Sequence, residues 1–243
     1  MCQKPVQKQR ASSFAFVILS RMNLAERIES AEYKYRQKLE EYFIKKWGDT
    51  ALFSHDITHH RRVWHYAKEL LSEAEKNEGP GISFYPDKLL IACYLHDLGM
   101  SVDISERHGV HSSNFCREFI SINGFSESEF DGVFFAIENH DNKEYSLKDN
   151  SVNLLSLLTI ADDLDAFGHI GILRYFEIYL KRGIHPSEIG YKIRDNASKR
   201  LTNFRSVFGN NYGLYLKQYS RFMILDDFFK DYNQQIGDPS LNA

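Results

Sequence analysis

The chain has 243 residues, 43% of them apolar and 26% charged, with a formal charge of −3. This is the balance of an ordinary globular protein, long enough for one substantial core and an appendage, and it excludes an overall electrostatic drive toward nucleic acid or an anionic membrane. No apolar run reaches the roughly 18 residues of a membrane-spanning helix, and three cysteines without metal-type spacing, Cys2, Cys93 and Cys116, fit free thiols in a cytoplasmic compartment.

Residues 1–23 are expected to form a disordered N-terminal segment. The apolar stretch Phe14–Leu19 follows Lys4, Lys8 and Arg10, but Arg21 interrupts it without a small-residue cleavage site, which argues against a signal peptide; Met22 is an alternative start. Helical periodicity dominates the remainder. A charged amphipathic helix is predicted over Leu24–Trp47, then a loop over 48–58 and a helix over 59–76 ended by Gly79-Pro80-Gly81. The next helix begins at Pro86 and is predicted to stop at Gly99 as its C-terminal cap. Further helices are read over 108–122, 127–140, 152–166, 170–181, 187–207 and 212–231, with a disordered tail from Gly237. The fold class is all-α: a helical core over 24–182 and a C-terminal helical extension, 183–243, packed on it. In that extension Tyr212, Tyr215, Tyr219, Phe222, Phe228 and Phe229 recur at helical spacing and read as core packing.

Ten histidines are many for this length, and all but His185 fall within residues 55–169. Residues three, four or seven apart share a helix face, and a polar group on an apolar stripe is costly unless paired or bound to metal. His59 extends the stripe Val63, Ala67, Leu70, Leu71 and Ala74. His96 and Asp97 continue the rows of Leu89, Leu90 and Cys93. Asp162 continues Leu155 and Leu158, whereas Asp163 follows the more polar Ser156 and Thr159; the pattern therefore selects Asp162, with Asp165 one turn on in support. His140 follows Val133 and Ile137. A lone histidine so placed is usually a satisfied core residue. Several together, of mixed nitrogen and oxygen type, also fit a site for Mn, Fe, Zn, Ni or Co better than one for calcium.

The order His59, then His96-Asp97, then Asp162 resembles the H…HD…D signature of the HD superfamily of metal-dependent phosphohydrolases. Local contexts agree: His55-Asp56-Ile57-Thr58-His59-His60-Arg61-Arg62-Val63 is similar to its first motif, Tyr94–Gly99 to its "LHDLG" motif, and Ala161–Gly168 continuing to Gly171-Ile172-Leu173-Arg174 to the "AD-x-LDA-x-G…GI-x-R" motif of a stand-alone, nucleotide pyrophosphohydrolase-like branch. The resemblance spans roughly residues 30–180. It implies a helical bundle whose ligands His59, His96, Asp97 and Asp162 converge on a divalent metal (Mn, Mg, Co, Ni, Fe or Zn) that orients phosphate oxygens and acidifies a water. It also selects His59 over His60, leaving His60 to face solvent or support the ligands from behind.

His108, opening His-Gly-Val-His-Ser-Ser, and His140 stand where some members hold a second metal or contact phosphate. His140-Asp141 departs from the usual His-His pair and puts a second metal in doubt. Arg62, three residues after His59, and Arg174, in the "GI-x-R" position, are candidate phosphate-binding residues beside the catalytic Asp97; surface ion pairs are the competing reading. Glu138 and Asp141 are candidate general bases, Lys143 and Arg107 candidate attractors of an anionic substrate, and His55 and Asp56 candidate caps or supports of a ligand histidine. The expected function is hydrolysis of a phosphoester or phosphoanhydride bond in a nucleotide or other small phosphorylated metabolite. The alternatives are a non-catalytic metal- and nucleotide-binding regulator, a nucleic-acid-processing protein, which the charge disfavours, and an oxygen-activating di-iron site. Homo-oligomer formation is left open.

Overall fold

The computed structural model describes residues 22–78, 85–105, 107–142 and 151–237. The predicted disorder of residues 1–21 and of the tail beyond Gly237, the Gly79-Pro80-Gly81 stop and Lys143 lie outside the described residues. Within them the fold is all-α, nine helices with no strand.

Helix α1 (Leu24–Trp47) has the predicted bounds, and its ends explain them. Asn23 Oδ1 accepts from Glu26 N while Glu26 reaches back to Asn23 N, and the chain leaves at Gly48 with φ 54°. Its buried row Ala31, Tyr35, Leu39, Phe43 and Trp47 packs on α3. Helix α2 (Ile57–Glu78) begins two residues before the predicted start because Asp56 caps it: Asp56 Oδ1 accepts from Thr58 N at 2.9 Å and His59 N at 3.3 Å. A 3₁₀ turn, Phe53–His55, precedes it. Helix α3 (Pro86–Leu95) is buried at Pro86 and from Leu89 through Leu95 and runs through the middle of the bundle, with α1, α2, α4 (His108–Ile122), α5 (Asp131–Asn139) and α6 (Leu154–Asp165) around it.

Helix α3 does not reach Gly99. It ends at Leu95, and after His96 and Asp97 the chain tightens into a 3₁₀ turn, Leu98–Ser101. Gly99 is no helix cap. A Cβ there would lie 2.1 Å from His108 O and 2.7 Å from Ser112 N, so its missing side chain lets the start of α4 approach, and Gly99 N donates to Ser112 Oγ at 2.8 Å. The predicted helix over 127–140 also divides, into a 3₁₀ turn at Glu127–Glu129 and α5.

Helices α6 and α7 (Gly168–Lys181) are joined at Gly168, φ 74°. Helix α8 (Pro186–Phe208) packs on α6, and α9 (Tyr212–Ile236) on α7 and α8. Ile189, Ile193, Ala197, Phe204, Leu225 and Phe229 are all fully buried in this seam, each large one worth about 1.5–3 kcal/mol. The aromatics of α9 divide between core and surface: Phe222 and Phe229 are buried, whereas Tyr212, Tyr219 and Phe228 are exposed.

Candidate metal centre

The site forms where four segments end on one another: the first turn of α2, the break after α3, the C-terminus of α5 and the last turns of α6. His59 lies in the first of these, His96 and Asp97 in the second, His140 in the third and Asp162 and Asp165 in the fourth; His108 enters from the start of α4. All are buried. Their ligand atoms form two groups that share Asp97. In one, atoms of His59, His96, Asp97 and Asp162 all lie within 4.8 Å of one another; in the other, atoms of Asp97, His108 and His140 do. Asp97 Oδ2 is 3.4 Å from His59 Nε2 and 3.2 Å from His96 Nε2, and its Oδ1 is 3.0 Å from Nε2 of both His108 and His140.

The rings are oriented from behind. Nδ1 of His59 faces Asp165 at 2.8 Å, that of His96 faces Cys93 O at 3.0 Å, and those of His108 and His140 face Ser105 O and Ile137 O, each at 2.7 Å. Every one of the four imidazoles thus has an acceptor beside both nitrogens, yet a neutral imidazole carries one N–H. Each Nε2 therefore points a lone pair at a carboxylate unless a positive charge stands between them. Protons satisfy this unevenly. Burial opposes charge on His96, but Asp97 and Asp162 overcome it and push its pKa up to about 10. For His140 burial prevails over Asp97 and holds the ring below its usual range. Asp97 and Asp162 are themselves held well below the usual carboxylate range despite burial, chiefly by His96. Asp162 Oδ1 is buried without a hydrogen-bond partner among the described residues. A nitrogen and oxygen donor set with an orphaned carboxylate oxygen and fixed imidazole tautomers fits divalent transition metals.

Behind the first group, Asp165 accepts from His59, from Arg62 Nε at 2.8 Å and Nη2 at 3.0 Å, and from Arg174 Nη1 at 3.0 Å. Burial raises its pKa, but Arg174, His59 and Arg62 outweigh it and bring it down to about 2. Arg62 also donates to Thr58 and faces Asp165, and it does not line the cavity over the candidate ligands. Arg174 does reach the cavity, with Nη2 3.3 Å from His59 Nε2 and 3.6 Å from Asp162 Oδ1. The cavity, about 120 Å³, is lined by His55, Asp97, His108, His140 and Asp162 on one side and by Arg174, Tyr175, Tyr179, Arg182, Asn196 and Arg200 on the other.

Several expectations change. His60 does not face solvent: it is fully buried against His59, His96 and Phe43, and shares Cys93 O with His96. Glu138 is exposed and does not line the cavity, whereas Asp141 does. Asp163 is as buried as Asp162, because α8 covers the polar row; Arg200 Nη1 sits 2.7 Å from Asp163 and 3.4 Å from Asp162. Arg200 and Asn196 were not visible as site residues. They lie four apart on one face of α8, but nothing in their spacing says which helix that face meets. Cys93 and Cys116 are buried and free.

Residues 56–166 match the HD domain family model. This stretch of the chain belongs to the HD superfamily. A solved structure of a protein from Lactobacillus plantarum shares the fold with this HD protein, with a TM-score of 0.58 and 16% identity over 82% of this chain and 95% of that one. That share exceeds what residues 1–182 make up, so the likeness extends into the C-terminal helical extension and is not confined to the HD domain. No curated protein matches. Among the described residues of this HD protein, no helix is long and apolar enough to cross a membrane.

Proposed function

We propose that this HD protein is a divalent-metal phosphohydrolase acting on a small phosphorylated metabolite, with nucleotides among the candidate substrates. The observation that carries the reading is Asp97, whose two oxygens face two histidine groups while a small cavity lined with arginine opens directly above. His59, His96, Asp97 and Asp162 would hold one ion, and Asp97, His108 and His140 a second. Bound there, a divalent cation supplies Lewis acidity toward a phosphoryl oxygen and lowers the pKa of a water.

The protein's own groups do the rest. Asp165, Cys93 O, Ser105 O and Ile137 O fix the four imidazole tautomers, so that every Nε2 faces the centre. Arg174, which reaches into the cavity, would stabilise charge developing on the phosphoryl group and its leaving oxygen. Arg62 acts through Asp165 and is a positioning residue. Asp141, at the cavity edge, is within reach of a proton released there. The two free buried cysteines support a cytoplasmic setting.

The test is release of phosphate or pyrophosphate from a panel of nucleotides and phosphoesters. The protein is stripped of metal and refilled with Mn, Mg, Co, Ni or Zn, with Asp97→Ala in parallel. Metal-dependent release that the substitution abolishes supports the hydrolase. Stoichiometric metal binding with no release from any substrate moves the reading to a non-catalytic metal- and nucleotide-binding regulator.

A further inference from the structure

Arg182 borders two spaces: the cavity of about 120 Å³ over the metal ligands and an open groove of about 490 Å³ lined by Asp103, Ile104, Ser105, Arg107 and Arg182. Inside the cavity the guanidiniums are already engaged, Arg174 with Asp165 and Arg200 with Asp163. At the groove they hold no ion pair among the described residues. Arg182 donates Nε to Ile104 O at 3.0 Å, and its terminal nitrogens meet no partner among the described residues. The Arg107 guanidinium likewise makes no hydrogen bond or ion pair among them; its recorded bonds are those of its backbone. The acid of the groove, Asp103, has one oxygen on Ser105 N and the other on the Ser105 hydroxyl.

Size and lining then constrain what binds. The inner cavity is far smaller than the roughly 300–1,000 Å³ of pockets that enclose drug-sized ligands. It admits a phosphoryl group, and because Arg182 lines both spaces, the groove adjoins it and can take the remainder of a substrate. Among the described residues no aromatic side chain lines that groove to stack a nucleobase. The tyrosines of the inner cavity are stacked on each other, Tyr175 against Tyr179 at 5.7 Å, with Arg200 5.9 Å from the Tyr175 ring.

We propose that Arg107 and Arg182 form an outer phosphate subsite, and that the substrate is a compact compound carrying a second phosphate in that subsite, with no nucleobase. The inner position rests on the phosphohydrolase reading; the outer subsite is a binding property that can be measured without turnover. Two unpaired guanidiniums suit a dianion through charge-assisted, bidentate hydrogen bonds.

Isothermal titration of the full chain, manganese-loaded with the ion matched in both solutions, tests this. The probes are methylphosphonate, methylenebisphosphonate, propylene-1,3-bisphosphonate and adenosine monophosphate. At least one bisphosphonate is expected to bind about tenfold or more tighter than methylphosphonate and tighter than the nucleotide. The doubly substituted Arg107→Ala/Arg182→Ala protein is expected to lose that gain, its bisphosphonate and methylphosphonate affinities becoming equal; Arg107→Ala, outside the inner cavity, is expected to lose part of the gain with its methylphosphonate affinity unchanged, and lysine at both positions to restore part of it. A gain that survives the double substitution overturns the subsite, as does a wild type that binds the bisphosphonates no better than methylphosphonate or binds adenosine monophosphate best. An arginine-dependent gain in a protein that hydrolyses nothing upholds the subsite and overturns the enzymatic reading alone.

Discussion

Asp165 Oδ2 lies 2.8 Å from His59 Nδ1, and the same carboxylate holds Arg62 and Arg174. One buried acid thus fixes the tautomer of a candidate metal ligand and is shared by two arginines. Asp165→Asn keeps the shape but weakens all three contacts, and is expected to lower metal affinity by about 10–100-fold, read by competition with a chromogenic chelator. Asp165→Ala leaves two guanidiniums without this carboxylate and is expected to cost about 3–5 kcal/mol of folding stability, read by denaturant melts. Unchanged metal affinity in Asp165→Asn would separate His59 from the metal.

Asp97 belongs to both histidine groups, whereas His140 belongs to one. Metal content after exhaustive dialysis, measured by mass spectrometry, is therefore expected to be two ions per chain in the wild type, one in His140→Ala and none tightly held in Asp97→Ala. One ion in the wild type, unchanged in His140→Ala, would leave His108 and His140 as hydrogen-bonding partners of Asp97.

Gly99→Ala tests the close approach of α4 to the turn after α3. Its methyl would meet His108 O and Ser112 N, both backbone atoms, so the chain must shift. A loss of about 1–3 kcal/mol is expected, together with weaker binding of the second ion, because His108 moves with its carbonyl. A melting temperature equal to wild type would show that the approach has slack.

Acid stability has a source away from the metal. Arg61 donates to Glu40, as do Arg36 and Tyr94, tying α1 to α2 and α3. These bonds, Arg61 first, outweigh partial burial and depress the Glu40 pKa from 4.5 to about 2. A depressed carboxylate contributes stability that is present above its unfolded pKa and lost as pH falls through the folded one. Stability is therefore expected to decline between pH 4.5 and about 2 partly through Glu40, and Glu40→Gln to flatten that limb of a pH series of urea melts.

Arg200 ties α8 to Asp162 and Asp163. Arg200→Ala is expected to lower the melting temperature by several degrees and Arg205→Ala, on the same helix, to change it by less, because a buried ion pair broken from one side strands a charge. Equal effects of the two would mean that the tie carries no stability.

Much of the HD protein was legible in its residues. Helical periodicity gave α1 its bounds, and apolar rows ending in His59, His96, Asp97, Asp162 and His140 gave most of the candidate donors that meet, because a polar group on a buried stripe has few physical excuses. Local pattern could not tell that α3 stops at Leu95, since the bend at His96-Asp97 depends on how closely α4 approaches Gly99. Nor could it place Arg62 against Asp165, bury Asp163 beneath α8, or bring Arg200 and Asn196 over the metal ligands. Those relations join residues up to about a hundred positions apart, and a helix's own pattern says which face is buried but not which partner buries it. Periodicity and apolar rows were enough for the helices and most of the candidate donors; only packing between helices made Asp97 common to both histidine groups and set Arg174 and Arg200 against their carboxylates.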